Sequence, residues 1–204
     1  IAISPNGVTK VIETELTEHH AIQLCSKGAE LAIADPGHRM YFNPETSDYE
    51  GHQGLGRAAI VDSNTGKIHL ELAQPKIEAY EGIAWSPTSI AIDDSLGGTS
   101  EIWVADGYAT SLIHKYSAQG EYLFSVDGKD SGTKFDCPHG ITILRDGEAF
   151  NLLVADRANH RIVVLSESGN FVKAFGYESL DSPSSIVIAG DQIFVTELFG
   201  GVAA

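Results

Sequence analysis

Short apolar runs recur along the chain, each bounded by turn-forming residues, and four segments open alike: HHAIQL at 19–24, PTSIAID at 87–93, PHGITIL at 138–144 and PSSIVIA at 183–189. In each segment a second, more apolar run follows and ends in an acidic residue: LAIADPG with Asp35, IWVADGY with Asp106, LLVADRA with Asp156 and IFVTELF with Glu197. The first three continue into hairpin patterns with glycine at the turn: AAIVDSNTGKIHLEL, LIHKYSAQGEYLFSV and RIVVLSESGNFVKAF. The opening residues, IAISPNGVTKVIE, look like one more such hairpin. Runs of β-branched and aromatic residues separated by Gly, Asn, Asp, Ser or Pro predict antiparallel meanders. Alternation of apolar and polar positions is incomplete, which predicts strands covered on both faces by neighbouring sheets. No helical periodicity longer than a turn or two competes with this reading.

Four strands repeated at a period of about 45–70 residues predict an all-β fold, a β-propeller whose blades gain stability by stacking on one another. The spacing between the first two units is the longest. Its excess lies in MYFNPETSDYEGHQGLG, residues 40–56, a polar, glycine-containing stretch that reads as an inserted loop on one rim. The unit resembles the NHL repeat in Pro138-His139-Gly140-Ile141 and in Val154-Ala155-Asp156 followed by Arg161-Ile162. That resemblance implies a ring of six blades, of which residues 1–204 supply about four blades' worth as a single, incomplete domain. The alternative is a four-bladed ring closed by joining the opening hairpin to the last two strands.

The first strand of a propeller blade lines the central channel, so residues at its start gather around one axis. The equivalent positions are His20, Thr88, His139 and Ser184. Imidazoles alternate with small hydroxyls, as a zinc ion held on every second blade requires; three protein ligands with one open position make a catalytic zinc site. A third histidine is expected in a fifth unit, beyond Ala204.

Composition narrows the function further. The chain has 204 residues, 43% of them hydrophobic, and a formal net charge of −15, which repels phosphate backbones and excludes nucleic acid as a partner. No apolar run approaches the roughly 20 residues of a membrane-spanning helix, so no membrane partner is expected. Cys25 and Cys137 are too few and too far apart for a disulfide framework or a CxxC metal site, and both read as ordinary buried thiols. No asparagine has Ser or Thr two residues on, so glycosylation sequons are absent.

Residues 87–162 resemble the peptidyl-α-hydroxyglycine α-amidating lyases. The resemblance rests on Pro138-His139-Gly140-Ile141, on Val104-Ala105-Asp106-Gly107-Tyr108 and on Val154-Ala155-Asp156-Arg157, with the run FSVDGKDSGTKFDCPHGI before the second histidine. It implies a zinc ion on His20 and His139 and a third ligand, a catalytic Tyr108, and a catalytic Arg157 that holds the substrate carboxylate or steadies the phenolate. It further implies a structural calcium ion near the carbonyl of Ile22, a peptide or small-molecule substrate, an oxidising monooxygenase partner, and a secreted or periplasmic setting. An upstream arginine of the family has no counterpart here, and Glu18-His19 replaces the usual proline context before His20. The reaction implied is cleavage of the C–N bond of a carbinolamide to an amide and glyoxylate. The competing reading is a non-catalytic NHL propeller that presents a rim to a protein or peptide; a calcium-dependent propeller hydrolase fits less well, because its channel pattern of carboxylates and Asn is not evident.

Other polar residues take plainer roles. Asp35, Asp106 and Asp156 recur in every full unit and read as turn caps. Arg161 reads as structural. His38, His52, His69, His114 and His160 lie beside turns or on polar strand faces and are expected at the solvated surface.

Overall fold

The computed structural model describes residues 2–3, 5–7, 9–25, 29–94, 98–147, 149–199 and 202–203. Its architecture is all-β, a β-propeller built from successive antiparallel meanders. Blade I contains Ala21–Cys25, Glu30–Asp35, Arg57–Asp62 and Ile68–Leu72; blade II contains Ser89–Ile92, Ile102–Asp106, Leu112–Tyr116 and Tyr122–Val126. Blade III contains Pro138–Asp146, Ala149–Asp156, Arg161–Ser166 and Phe171–Phe175. The last sheet pairs Pro183–Ala189, Gln192–Glu197 and Val202–Ala203. The opening hairpin, Ala2–Ile3 with Thr9–Lys10, forms a separate two-stranded sheet and, among the described residues, pairs with no strand of the last one.

Incomplete alternation in the sequence has a simple origin. The two-residue period of a strand sends consecutive side chains to opposite faces, and here both faces are dry. In blade II, Ile102 and Val104 pack with Ala32, Ala34, Ile60 and Leu72 of blade I. Trp103 and Ala105, one residue out of phase, pack with Leu152, Val154 and Val163 of blade III. Leu153 and Ala155 then turn to Ile186 and Val195 of the last sheet. Blades II and III are therefore each the wall of two cores, and at about 1.5–3 kcal/mol for each large apolar side chain buried, neighbours stabilise one another.

Two positions differ from the sequence-based expectation. Residues 40–56 do not form an open loop. His38–Asn43 and Asp48–Gln53 pair into a two-stranded hairpin inserted between the second and third strands of blade I. His114 is not at the surface either: it is fully buried between blades I and II. Strand Leu112–Tyr116 looks amphipathic as LIHKY, but a propeller covers both of its faces. Lys115 on the opposite face pairs with Glu101 at 2.9 Å and lies over the Trp103 ring. Cys25 is buried as expected, whereas Cys137 is only half-buried.

The buried His114 is satisfied by side chains. Its Nε2 lies 2.6 Å from Tyr80 Oη and its Nδ1 2.8 Å from Ser125 Oγ. Tyr80 Oη donates its single proton to Asp106 Oδ2 at 2.7 Å, so His114 Nε2 carries the proton it shares with that phenol. Burial holds the imidazole neutral, pushing its pKa down to about 4. An unfolded histidine takes up a proton near pH 6.5, so the stability that rests on neutral His114 is complete above that pH and is lost as pH falls toward 4. The loss reaches about 3 kcal/mol at pH 4. Urea unfolding of the wild type and His114→Gln checks this: the variant's deficit at pH 7.5 should shrink by about that amount at pH 4, and an equal deficit at both values would show that His114 titrates normally.

Candidate functional site

The acidic residue that ends the second strand of each unit captures the chain entering that unit's channel strand. Asp35 accepts hydrogen bonds from the backbone N–H groups of Thr17 at 2.6 Å and Glu18 at 3.1 Å. Asp106 takes Ser86 N–H at 2.5 Å, Asp156 takes Asp136 N–H at 2.8 Å, and Glu197 takes Ser182 N–H at 2.5 Å. Each captured residue lies two or three positions before His20, Thr88, His139 or Ser184, so the same tether sets all four at the channel mouth. Asp106 also receives Thr110 N–H at 2.9 Å and Thr110 Oγ1 at 2.7 Å, which fixes the loop carrying Tyr108.

Local backbone features aim these side chains. His139 falls at a register shift between Pro138 and Gly140, and Ser184 at one between Pro183 and Ser185; β-bulges re-aim a side chain without ending the strand. Gly107 and Gly140 are required by close approach. A Cβ at Gly107 would stand 2.5 Å from the Pro138 carbonyl oxygen, and one at Gly140 would stand 2.5 Å from that of Ser184.

At the mouth, His20, Tyr108 and His139 meet. Tyr108 Oη lies 3.1 Å from His20 Nε2 and 2.8 Å from His139 Nε2, and the two imidazole centroids are 4.7 Å apart. Each histidine is oriented by the next blade: His20 Nδ1 donates to the Thr88 carbonyl at 2.8 Å, and His139 Nδ1 donates to the Ser184 carbonyl at 2.9 Å. The alternating hydroxyl residues thus contribute their backbone oxygens to this centre. A carbonyl only accepts, so both Nδ1 atoms carry protons, and in the neutral form of each ring Nε2 presents a lone pair to Tyr108. One phenol proton cannot satisfy two lone pairs. The three atoms form a donor set short of one positive centre.

Arg157 stands beside this centre. One guanidinium nitrogen donates to Ser184 Oγ at 3.0 Å, while its Nε is buried without a hydrogen-bond partner, and among the described residues it forms no ion pair. The ion pair of this blade belongs instead to Arg161, whose Nε binds Asp156 at 2.7 Å in a fully buried contact and whose other nitrogens reach the carbonyls of Ser131 and Thr133 and the Tyr177 hydroxyl. Burial, with the nearby Arg157 charge adding to it, pushes His139 down to about 4.

His38 is a member of the site that the sequence reading placed at the surface. It is half-buried, its ring centroid lies 5.6 Å from that of Tyr108, and its Nε2 lies 3.8 Å from Glu18. The signal was present: His38 follows Asp35 in unit I as Tyr108 follows Asp106 in unit II and Arg157 follows Asp156 in unit III. His69 on the fourth strand of blade I pairs with Glu30 on the second, and His52 and His160 are exposed. Among the described residues no group of three or more His, Cys, Asp or Glu side chains is placed to hold a metal ion. Ile22 lines a groove of about 500 Å³ between the channel strands; its acids are Asp93 and Asp94, and Asp93 is committed to Arg145 and to Thr99.

With this geometry in view, comparison with known proteins is informative. A family model described as NHL repeat matches residues 135–165. A protein named peptidyl-alpha-hydroxyglycine alpha-amidating lyase 2 from Drosophila melanogaster is 40% identical over 78 residues, 38% of this chain and 18% of that protein. The chain carries an NHL repeat and resembles the amidating lyases. Peptidyl-glycine alpha-amidating monooxygenase A of Xenopus laevis is 35% identical over 98 residues, 45% of this chain and 10% of that protein. The chain therefore spans under a fifth of the length of either relative. Among solved structures, Kuenenia stuttgartiensis hydrazine synthase aligns with a TM-score of 0.60 at 19% identity, covering 92% of this chain and 44% of that one, a likeness of fold.

Removing the Arg157 charge should make His139 easier to protonate. In Arg157→Gln, titration of imidazole NMR signals in metal-free protein should show the His139 pKa rising above its wild-type value near 4. An unchanged value would separate the guanidinium from the imidazole.

Proposed function

We propose that this protein is a lyase that cleaves a peptidyl-α-hydroxyglycine, or a closely related carbinolamide, to a peptide amide and glyoxylate, with zinc at the His20–His139 centre. The observation that carries the reading is the convergence of two carbonyl-oriented Nε2 lone pairs on one phenol, beside an arginine without a carboxylate. Two neutral imidazoles suit zinc, and a donor set short of one positive centre suits a cation. His20 and His139 would hold the metal, with a third ligand from elsewhere in the protein. Zinc, when bound, supplies a Lewis acid that acidifies a hydroxyl.

The chain's own residues account for binding and proton movement. Arg157 binds the substrate carboxylate through its guanidinium, which has neutral partners on this chain and a spare buried N–H. That contact sets the α-carbon of the hydroxyglycine beside Tyr108. Tyr108, acting as its phenolate, takes the hydroxyl proton at its phenolic oxygen. The oxygen's electron pair closes the aldehyde C=O, the C–N bond breaks with its pair going to nitrogen, and the proton held by Tyr108 goes to that nitrogen. Atoms and charge balance without an oxidant: an N-acyl hydroxyglycine becomes an amide and glyoxylate. Thr88 and Ser184 hold both imidazoles in the tautomer that keeps Nε2 open. An oxidising enzyme that hydroxylates the glycine α-carbon would supply the substrate, in keeping with the relatives that are named as monooxygenases.

The test is glyoxylate release from N-acyl-α-hydroxyglycine by zinc-loaded protein. Tyr108→Phe should lower kcat by about 100-fold or more, the usual scale of a lost general acid–base, and chelation should abolish turnover until zinc returns. His139→Ala should abolish zinc binding in a direct titration. Undiminished turnover by Tyr108→Phe would remove the phenol from the mechanism.

A further inference from the structure

The hairpin inserted into blade I has two unlike faces. Cross-strand pairing of His38 with Gln53, Met40 with Gly51 and Phe42 with Tyr49 puts these six residues on one face. The other face carries Tyr41, Asn43 and Glu50, joined by hydrogen bonds from Tyr41 Oη at 3.0 Å and Asn43 Nδ2 at 2.5 Å to the Glu50 carboxylate. That face is satisfied by its own polar contacts. The first is not: Met40, Phe42 and Tyr49 are 58%, 53% and 64% exposed, although the Phe42 and Tyr49 rings meet edge to face at 5.5 Å.

This apolar face is continuous with the candidate site, because His38 on the same face approaches Tyr108 at 5.6 Å between ring centroids. From His38 the strand advances about 3.4 Å per residue, so Met40 lies about 7 Å and Phe42 about 14 Å farther along it. Gly51 opposite Met40 presents no side chain, which leaves a shallow gap floored by the Met40 thioether and closed at the far end by the Phe42–Tyr49 pair. An extended peptide with its reacting C-terminal residue at Tyr108 advances at nearly the same rate, about 3.3–3.6 Å per residue.

We infer that the hairpin is a side-chain subsite that reads the peptide two to four residues before the hydroxyglycine and favours large apolar side chains there. The inference rests on the lyase reading above and names its substrate class: peptides ending in an apolar segment. A thioether floor adapts to aromatic and branched aliphatic groups alike, so the subsite selects for size and apolarity over shape. Covering Met40 and Phe42 also removes exposed apolar area, which gives binding energy without a further hydrogen bond.

The experiment compares acetyl-Phe-Leu-Ala-α-hydroxyglycine with acetyl-Ala-Ala-Ala-α-hydroxyglycine in the wild type, in Met40→Ser/Phe42→Ser and in Tyr41→Ser, which alters the opposite face of the same hairpin. In the wild type the apolar peptide should have a KM about tenfold lower, the scale of one partly buried aromatic side chain. The double variant should bring the ratio of the two KM values toward one, and Tyr41→Ser should leave the ratio as in the wild type. A wild-type ratio near one, or an unchanged ratio in the double variant, overturns the subsite and leaves the lyase reading standing. Equal loss of the ratio in Tyr41→Ser also overturns it, because hairpin folding and not the apolar face would then set the preference. Failure of the wild type to turn over either peptide overturns the lyase reading and the subsite with it.

Discussion

A carboxylate at the end of each second strand binds the backbone of the segment that leads into the channel. Asp35, Asp106 and Asp156 are fully buried, and each meets at least one backbone N–H that the antiparallel ladder leaves free. Such N–H groups are costly to bury without a partner, roughly 1–3 kcal/mol each, so the acid is a structural necessity once neighbouring sheets exclude water. Its second effect is positional. The residue two or three places beyond the tethered N–H begins the channel strand, and the residues just after the acid form the loop on the same rim. One interaction therefore fixes both partners of the site in every unit: His20 with His38, Thr88 with Tyr108, His139 with Arg157.

The next layer of organisation runs between blades. Channel residues of one blade touch the backbone of the next, so His20 depends on Thr88 and His139 on Ser184. Gly107 and Gly140 allow that approach, since a methyl group at either would collide with a carbonyl of the following blade. Stacking of the sheets and orientation of the imidazoles are thus consequences of the same contacts. Buried apolar faces set the spacing between blades, and the carbonyls carried at that spacing select the tautomer of each histidine.

Much of this was legible in the sequence because repetition makes positions comparable. The order of acid, glycine and tyrosine in unit II and of acid and arginine in unit III shows which residues share a rim, without any coordinates. The alternation of His20, Thr88, His139 and Ser184 similarly shows which residues share the channel mouth. What the residues did not show has physical reasons. His38 was hidden because the insertion that follows it breaks the repeat, and its stretch reads as polar until it is seen paired as a hairpin. His114 was misjudged because LIHKY suggests one wet face, whereas a blade between two others has none; a neutral imidazole bonded to Tyr80 and Ser125 belongs there as well as an isoleucine would. The bulge at His139 and the role of the Thr88 and Ser184 backbone oxygens are properties of register, which side-chain identity alone does not encode.

Arg157 and Arg161 show how one blade separates structure from chemistry. They lie four residues apart, Arg157 opening a single turn of 3₁₀-helix at Arg157–Asn159 and Arg161 following it. Arg161 is buried against Asp156, with its remaining donors spent on two carbonyls and a phenol, so its charge is fully neutralised and its geometry fixed. Arg157 hydrogen-bonds the Ser184 hydroxyl and interacts with the Cys137 thiol, forms no ion pair among the described residues, and carries one buried N–H without a partner. An unsatisfied buried donor costs roughly 1–3 kcal/mol, and a fold selected for stability alone would remove it. At its position the charge helps keep His139 unprotonated, with a lone pair available. Local instability of that kind, four residues from a fully satisfied side chain of the same type, is where a structure departs from what folding requires.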